Sequence, residues 1–221
     1  MKKFLLFVMG FIGCAQVCFC MQSPLVAKVE ALVQKYAPPK EMAQLLEEHK
    51  KVIKKDFIDA SKNGEYCGLF IEGSELSRVV HAERMRQCIK NHKLDSLDVP
   101  KKYIYDVDGH WIVIAQCVRY EVKPLKLQLN EVQQLAILAE ETGFIDWKLD
   151  LEGLSNWVRS YSGKLICLDT ENLSFLGTNI CKAFCVENLL NYPSIMTEEA
   201  IVWLKDRVDF LETSQQENKI I

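Results

Sequence analysis

The dipeptide Asp108-Gly109 constrains the fold of this chain more than any other feature. It interrupts the run VPKKYIYDVDGHWIVIAQCVRYE, residues 99–121, between two stretches rich in β-branched and aromatic residues. Asp-Gly is a favoured two-residue turn, because a type I′ turn needs positive φ at both central positions and its twist matches that of the paired strands. The run therefore reads as an antiparallel hairpin, and the rest of the chain must build a sheet and its cover around it.

The flanking segments supply the cover. SPLVAKVEALVQKY, residues 23–36, has a capping serine, Pro24 at the first helical position and Leu25, Val29, Leu32 and Val33 at helical spacing. After Ala37-Pro38-Pro39, a second helix is expected over residues 40–60, stopped by Gly64. YCGLFIEG reads as a strand bounded by glycine. ELSRVVHAERMRQCIKNHKL follows as a helix on which Leu76, Val79 and Val80 share a face with Glu83, while Met85, Cys88, Ile89 and His92 lie opposite. NEVQQLAILAEETG is a helix with Asn130 and Gln133 as a capping box and Gly143 at its end. An irregular stretch, FIDWKLDLEGLS, leads to a second hairpin, and a helix capped by Thr197 closes the chain. This order predicts an α+β fold: a small antiparallel sheet with helices, rather than an alternating parallel one.

The second hairpin, SNWVRSYSGKLICLDTENLSF, carries the chemistry. With Ser162-Gly163 as a two-residue turn, Asn156 and Asp169 stand directly opposite each other, with Cβ atoms about 4.5–5.5 Å apart. A three-residue loop would offset the pair by one. An amide oxygen and a carboxylate at that spacing suit a hard cation such as Mg²⁺. Asn and Asp are also ordinary turn and cap formers at hairpin ends.

An asparagine, a hairpin and then an aspartate closing an apolar strand resemble the core of the protein-kinase-like fold, and the thirteen-residue step from Asn156 to Asp169 matches that family's pattern. The order upstream is similar as well. CGLFIEG resembles the strand before the regulatory helix, Glu83 lies on the segment resembling that helix, and the 99–121 hairpin ends where an interlobe hinge would stand. The resemblance spans residues 66–175. It implies a two-lobe kinase-like core over residues 65–221 behind a helical extension at 21–64. It also implies Asn156 and Asp169 as Mg²⁺ ligands, Glu83 in cofactor binding, Asp146 or Asp150 orienting an acceptor hydroxyl, and ATP as the cofactor. The departures are specific. No glycine-rich phosphate loop precedes the first strand, GLFIEG lacks the family's lysine, no histidine stands two positions before Asp146 or Asp150, and Asp-Thr-Glu replaces the Asp-Phe-Gly motif. Together they favour a degenerate, pseudokinase-like module that binds an unidentified protein partner, with a minimal Mg²⁺-dependent phosphotransferase or nucleotide binder as the alternative. A disulfide-stabilised exported domain unrelated to kinases is a third reading.

The opening residues, MKKFLLFVMGFIGCAQVCFC, have the basic start, short apolar centre and small-residue end of an export signal over residues 1–20, which predicts a periplasmic or secreted protein. Cleavage after Cys20 and lipid attachment at Cys14 are the competing routes, and only the second, or an uncleaved signal, implies membrane attachment. The mature chain then keeps Cys67, Cys88, Cys117, Cys167, Cys181 and Cys185, for which one or two disulfides are expected at most. Cys88 and His92 have a zinc-compatible spacing but no matching second pair, and packing or bridging is the reading for Cys181 and Cys185. A net charge of −3 with both signs interspersed gives no electrostatic basis for nucleic-acid binding.

Overall fold

The computed structural model describes residues 24–48, 66–121, 123–149, 155–176 and 181–217. Helix α1 (Pro24–Lys35) belongs to a unit that ends at Ala37, and everything from Pro38 onward forms a second, compact unit. Residues 1–20, read as an export signal, and the distal part of the expected second helix lie outside the described residues.

Within the second unit, α2 (Lys40–Glu48) is followed by β1 (Tyr66–Gly73), α3 (Ser77–His92), β2 (Leu97–Asp98), β3 (Lys102–Val107) and β4 (His110–Val118). The Asp-Gly turn forms as expected: Asp108 and Gly109 have φ of 53° and 82°, and Val107 pairs with His110. Asp106 Oδ1 accepts the Gly109 N–H at 2.7 Å and closes the turn. β4 is the centre of a three-stranded antiparallel sheet ordered β1-β4-β3. Leu46 of α2 packs with Leu69 and Ile114 on this sheet, fully removed from solvent.

A second sheet, ordered β2-β7-β6-β5, is built from β5 (Tyr120–Glu121), β6 (Trp157–Ser160), β7 (Leu165–Cys167) and β2. Only β2 and β7 run parallel. The chain is thus α+β with small, largely antiparallel sheets. The main core lies between this sheet and the helices, around α4 (Leu129–Thr142), whose Val132, Leu135, Ala136, Leu138 and Ala139 are buried. Short α5 (Lys182–Glu187) and the long α6 (Glu198–Glu217) complete it, α6 presenting Ala200, Leu204, Val208 and Leu211 at helical spacing.

Two local expectations shift, for the inner face of α3 and the start of α4, and the state of four cysteines is visible. The buried stripe of α3 is Val79, Ala82, Met85 and Cys88, so Leu76 and Val80 do not define its inner face. The N-terminal box of α4 sits two residues earlier than Asn130: Glu131 Oε2 accepts the Gln128 N–H at 2.9 Å. Glu131 also takes Arg159 at 2.6 Å, which ties the helix start to β6 and outweighs the local preference of asparagine for the cap. Cys88, Cys167, Cys181 and Cys185 are free thiols and form no bridge. Cys88 is buried while His92 is exposed, which separates the pair read as zinc-compatible.

Two ion pairs join α4 to the C-terminal helices, and their burial differs. Arg207 grips Glu140 through two hydrogen bonds of 2.8 and 2.7 Å, with the glutamate side chain 7% exposed. Lys182 meets Glu141 at 3.2 Å with both partners over 40% exposed. Removing Arg207 strands a desolvated carboxylate, whereas removing Lys182 returns two groups to water. Urea denaturation is expected to show Arg207→Ala destabilised by about 2–3 kcal/mol and Lys182→Ala by under about 1 kcal/mol; equal losses would contradict this assignment.

Candidate functional site: a carboxylate cluster closed by an arginine

Three aromatic side chains fix the loop that follows α4. Gly143 ends that helix with φ of 72°. Phe144, Trp147 and Trp157 are then buried against one another, with Phe144 edge-on to both indoles at 4.9 and 5.9 Å and the indoles stacked at 5.8 Å. Lys148 takes an uncommon positive φ of 34°, and its main chain is held on both sides. Its N–H donates to the Tyr192 hydroxyl at 3.1 Å, and its carbonyl accepts the Ser155 hydroxyl at 2.6 Å and the Asn156 N–H at 3.1 Å. Asp146, between two buried aromatic residues in sequence, is thereby turned toward the end of the β6–β7 hairpin.

Asp146 Oδ2 is a shared acceptor there. It receives Asn156 Nδ2 at 2.8 Å, Lys148 Nζ at 2.9 Å and the Ser174 hydroxyl at 3.1 Å. The bond to Asp146 is the main reason the Lys148 ammonium holds its proton more tightly than usual. Carboxylate oxygens of Asp146, Asp169 and Glu171 lie within 4.8 Å of one another.

Arg78, in the first turn of α3, closes this cluster. Its guanidinium reaches Asp169 Oδ1 at 2.6 Å and Glu171 Oε2 at 3.2 Å, and its main-chain carbonyl accepts the Thr170 hydroxyl at 2.8 Å. Glu75 sits beside it at 3.6 Å. Glu75 also accepts the Ser77 hydroxyl and the Asn172 N–H, and these bonds, the serine's first, lower its pKa. Arginine's planar fork suits two carboxylates at once, which a lysine cannot match.

A buried pair lies next to the cluster. Lys102 Nζ contacts Glu72 Oε1 at 2.5 Å and the carbonyl of Leu168 at 3.0 Å, and the two side chains are 0% and 5% exposed. Glu72 Oε2 has no hydrogen-bond partner. Burial raises the Glu72 pKa against the opposing pull of Lys102. The neighbouring thiol of Cys167 is fully buried and pushed well above its ordinary range by desolvation.

The hairpin register differs from the expectation by one residue. Trp157 pairs with Cys167 and Arg159 with Leu165, so Asn156 faces Leu168, whose N–H donates to the Asn156 carbonyl at 2.7 Å. The cause is a three-residue loop, Tyr161-Ser162-Gly163, between Ser160 and Lys164, with Gly163 at φ 89°. Asn156 and Asp169 are therefore not cross-strand partners; Asp146 links them, bonding Asn156 and lying in the carboxylate cluster with Asp169. The asparagine turns its amide nitrogen to Asp146, donating to its main-chain carbonyl at 3.1 Å and to its carboxylate at 2.8 Å. Glu83 does not join the cluster. It accepts Gln87 Nε2 at 2.8 Å on the outer side of α3, because five residues of helix rotate it roughly 140° from Arg78. Asp150 lies outside the described residues.

Sequence reasoning missed Glu72, Arg78, Lys102 and Glu171. One signal was available: Lys102 alternates with Ile104 along β3 and shares its buried face. Arg78 had none, since its partners lie 91 and 93 residues away. A separate groove of ≈ 360 Å³ is lined by residues including Lys123, Leu125, Lys126, Gln128 and Arg159, and none of the cluster residues borders it. Comparison with models of protein families, with curated proteins and with solved structures finds no match to this chain.

The buried pair makes a double-mutant test possible. Lys102→Met leaves Glu72 buried without a counter-charge and is expected to cost about 3–5 kcal/mol in chemical denaturation, while Lys102→Met with Glu72→Leu recovers most of that loss. A double variant no better than the single one would show that the pair is not coupled.

Proposed function

We propose that this chain is a kinase-like module that does not transfer phosphoryl groups and acts by engaging a protein partner, with export resting on its N-terminal residues alone. The observation that carries this reading is Arg78, whose guanidinium contacts both Asp169 and Glu171. Where a phosphotransferase needs a divalent cation on the aspartate, this chain supplies its own cation. The strand resembling the family's lysine-bearing one carries Glu72 as its penultimate residue, which takes Lys102 from another strand instead of leaving a lysine for phosphate.

Support for the kinase-like part comes from order and contacts. β1 and the β3–β4 hairpin, with α3 between them in the chain, build one sheet in the order β1-β4-β3, and α4 leads into a loop whose Asp146 meets Asn156 and clusters with Asp169 beyond the second hairpin. The second reading is a Mg²⁺-dependent nucleotide binder or minimal phosphotransferase. It is favoured by the convergence of Asp146, Asp169 and Glu171 beside Lys148, a set of hard oxygen donors suited to Mg²⁺. In that reading Asp169 and Glu171 would hold the ion, which would supply charge neutralisation for phosphate, and Asp146 would orient an acceptor hydroxyl.

Calorimetric titration of the folded chain separates the two readings. The non-catalytic reading expects no heat of binding for Mg²⁺ with ATP. Saturable binding that is lost in Asp169→Asn would establish the nucleotide reading in its place.

A further inference from the structure

We propose that the contact between the first turns of α3 and residues 169–175 is an acid-released latch, with His81 as its sensor. This inference is independent of the kinase-like reading. It rests on how the two segments are joined and on one ring nitrogen.

The segment after β7 is attached to the beginning of α3 by side chains from both sides. Thr170 donates to the Arg78 carbonyl, Asp169 and Glu171 accept Arg78, and the Asn172 N–H donates to Glu75. His81 completes the contact one turn further along. Its ring stacks flat on Phe175, with centroids 4.2 Å apart and planes 10° from parallel. Its Nε2 meets Asn172 Oδ1 at 3.3 Å. An amide oxygen only accepts, so this contact requires the tautomer with the proton on Nε2 and leaves the lone pair on Nδ1. Nδ1 is buried and has no hydrogen-bond partner.

That geometry accommodates neutral histidine and penalises the cation. Protonation would place an N–H on Nδ1, inside the contact, with nothing to accept it. Groups around the ring act in both directions: Glu75 favours the cation and Arg84 on α3 opposes it. From the facing segment, the charges of Asp169 and Glu171 are already committed to Arg78. From α4, Glu141 offers Arg84 a main-chain oxygen and gives its carboxylate to Lys182. Desolvation is the largest influence on the ring and lowers its pKa, consistent with the stranded Nδ1.

The sign follows from linkage. A histidine whose pKa is lower in the latched state than in the released one binds a proton more readily once released. Acidification through the ordinary histidine range therefore favours release, and the latched state keeps its full stability only above that range. The released segment carries the Phe175 ring away from His81 and frees Asp169 and Glu171 from Arg78.

Hydrogen exchange of the full chain tests this directly. Protection factors, corrected for the intrinsic pH dependence of exchange, are compared at about pH 7.5 and about pH 5.5, a window centred on free histidine. Amides of residues 169–176, including the Asn172 N–H held by Glu75, are expected to lose protection severalfold at the lower pH. Those of α4 should keep theirs. His81→Phe retains a flat ring against Phe175 and cannot titrate, so its protection should be the same at both pH values. It leaves the carboxylates of the contact, Glu75 among them, in place, so a loss of protection driven by a carboxylate would survive the substitution and overturn the proposal. Equal protection at both pH values in the unsubstituted chain, or an equal loss across α4, would overturn it as well. Should His81→Phe fail to fold, ¹⁵N spectra of the wild-type imidazole decide: an Nε2-protonated ring titrating below free histidine supports the latch, and a ring titrating as free histidine rejects it.

Discussion

The packing of Phe144, Trp147 and Trp157 is the constraint on which the rest of the site depends. Each of the three is almost wholly removed from water, and together they bridge the end of α4, the loop after it and the first residue of β6. Burial of side chains this large stabilises by several kcal/mol in total, enough to hold a loop that would otherwise be free to move. It also tolerates two costs. Lys148 adopts a backbone conformation that non-glycine residues avoid, and neither indole N–H has a hydrogen-bond partner. Asp146 sits inside this framework, so its direction is set by hydrophobic packing before any charge acts on it.

Electrostatics then arranges the second layer. Asp146 collects donors from Asn156, Lys148 and Ser174, while Arg78 draws Asp169 and Glu171 toward α3. Lys102 and Glu72 are a different kind of pair. Both are removed from water, and one glutamate oxygen stays unpartnered, so their interaction offsets a desolvation cost rather than adding simple attraction. The Arg78 contacts, partly open to solvent, are correspondingly cheaper to form and easier to release.

How much of this was legible in the sequence follows the range of each interaction. The Asp108-Gly109 turn was readable because its cause is local: two residues must take positive φ, and they do. The element order, and hence the α+β class, followed from similar local signals. The start of α4 shifted by two residues because Arg159, distant in sequence, recruits Glu131 and stabilises the box at Gln128. The second hairpin slipped by one because Ser-Gly specifies its turn weakly, and Gly163 takes its positive φ at the end of a three-residue loop. Asp146, Asn156 and Asp169 were singled out before their neighbours were visible, and Asp146 links the other two. Arg78 was not legible, because nothing within its own helix distinguishes it from the other arginines there.

Arg78 also changes how the cluster relates to its surroundings. A dissociable cation fills a site according to its concentration outside, and the stability it adds rises and falls with supply. A guanidinium attached to the same chain is present at a fixed effective concentration, set by the packing of α3 rather than by the medium. While α3 and this segment stay in contact, the neutralisation of Asp169 and Glu171 therefore does not depend on the supply of a cation from the medium. A molecule built this way carries its counter-ion wherever it is delivered.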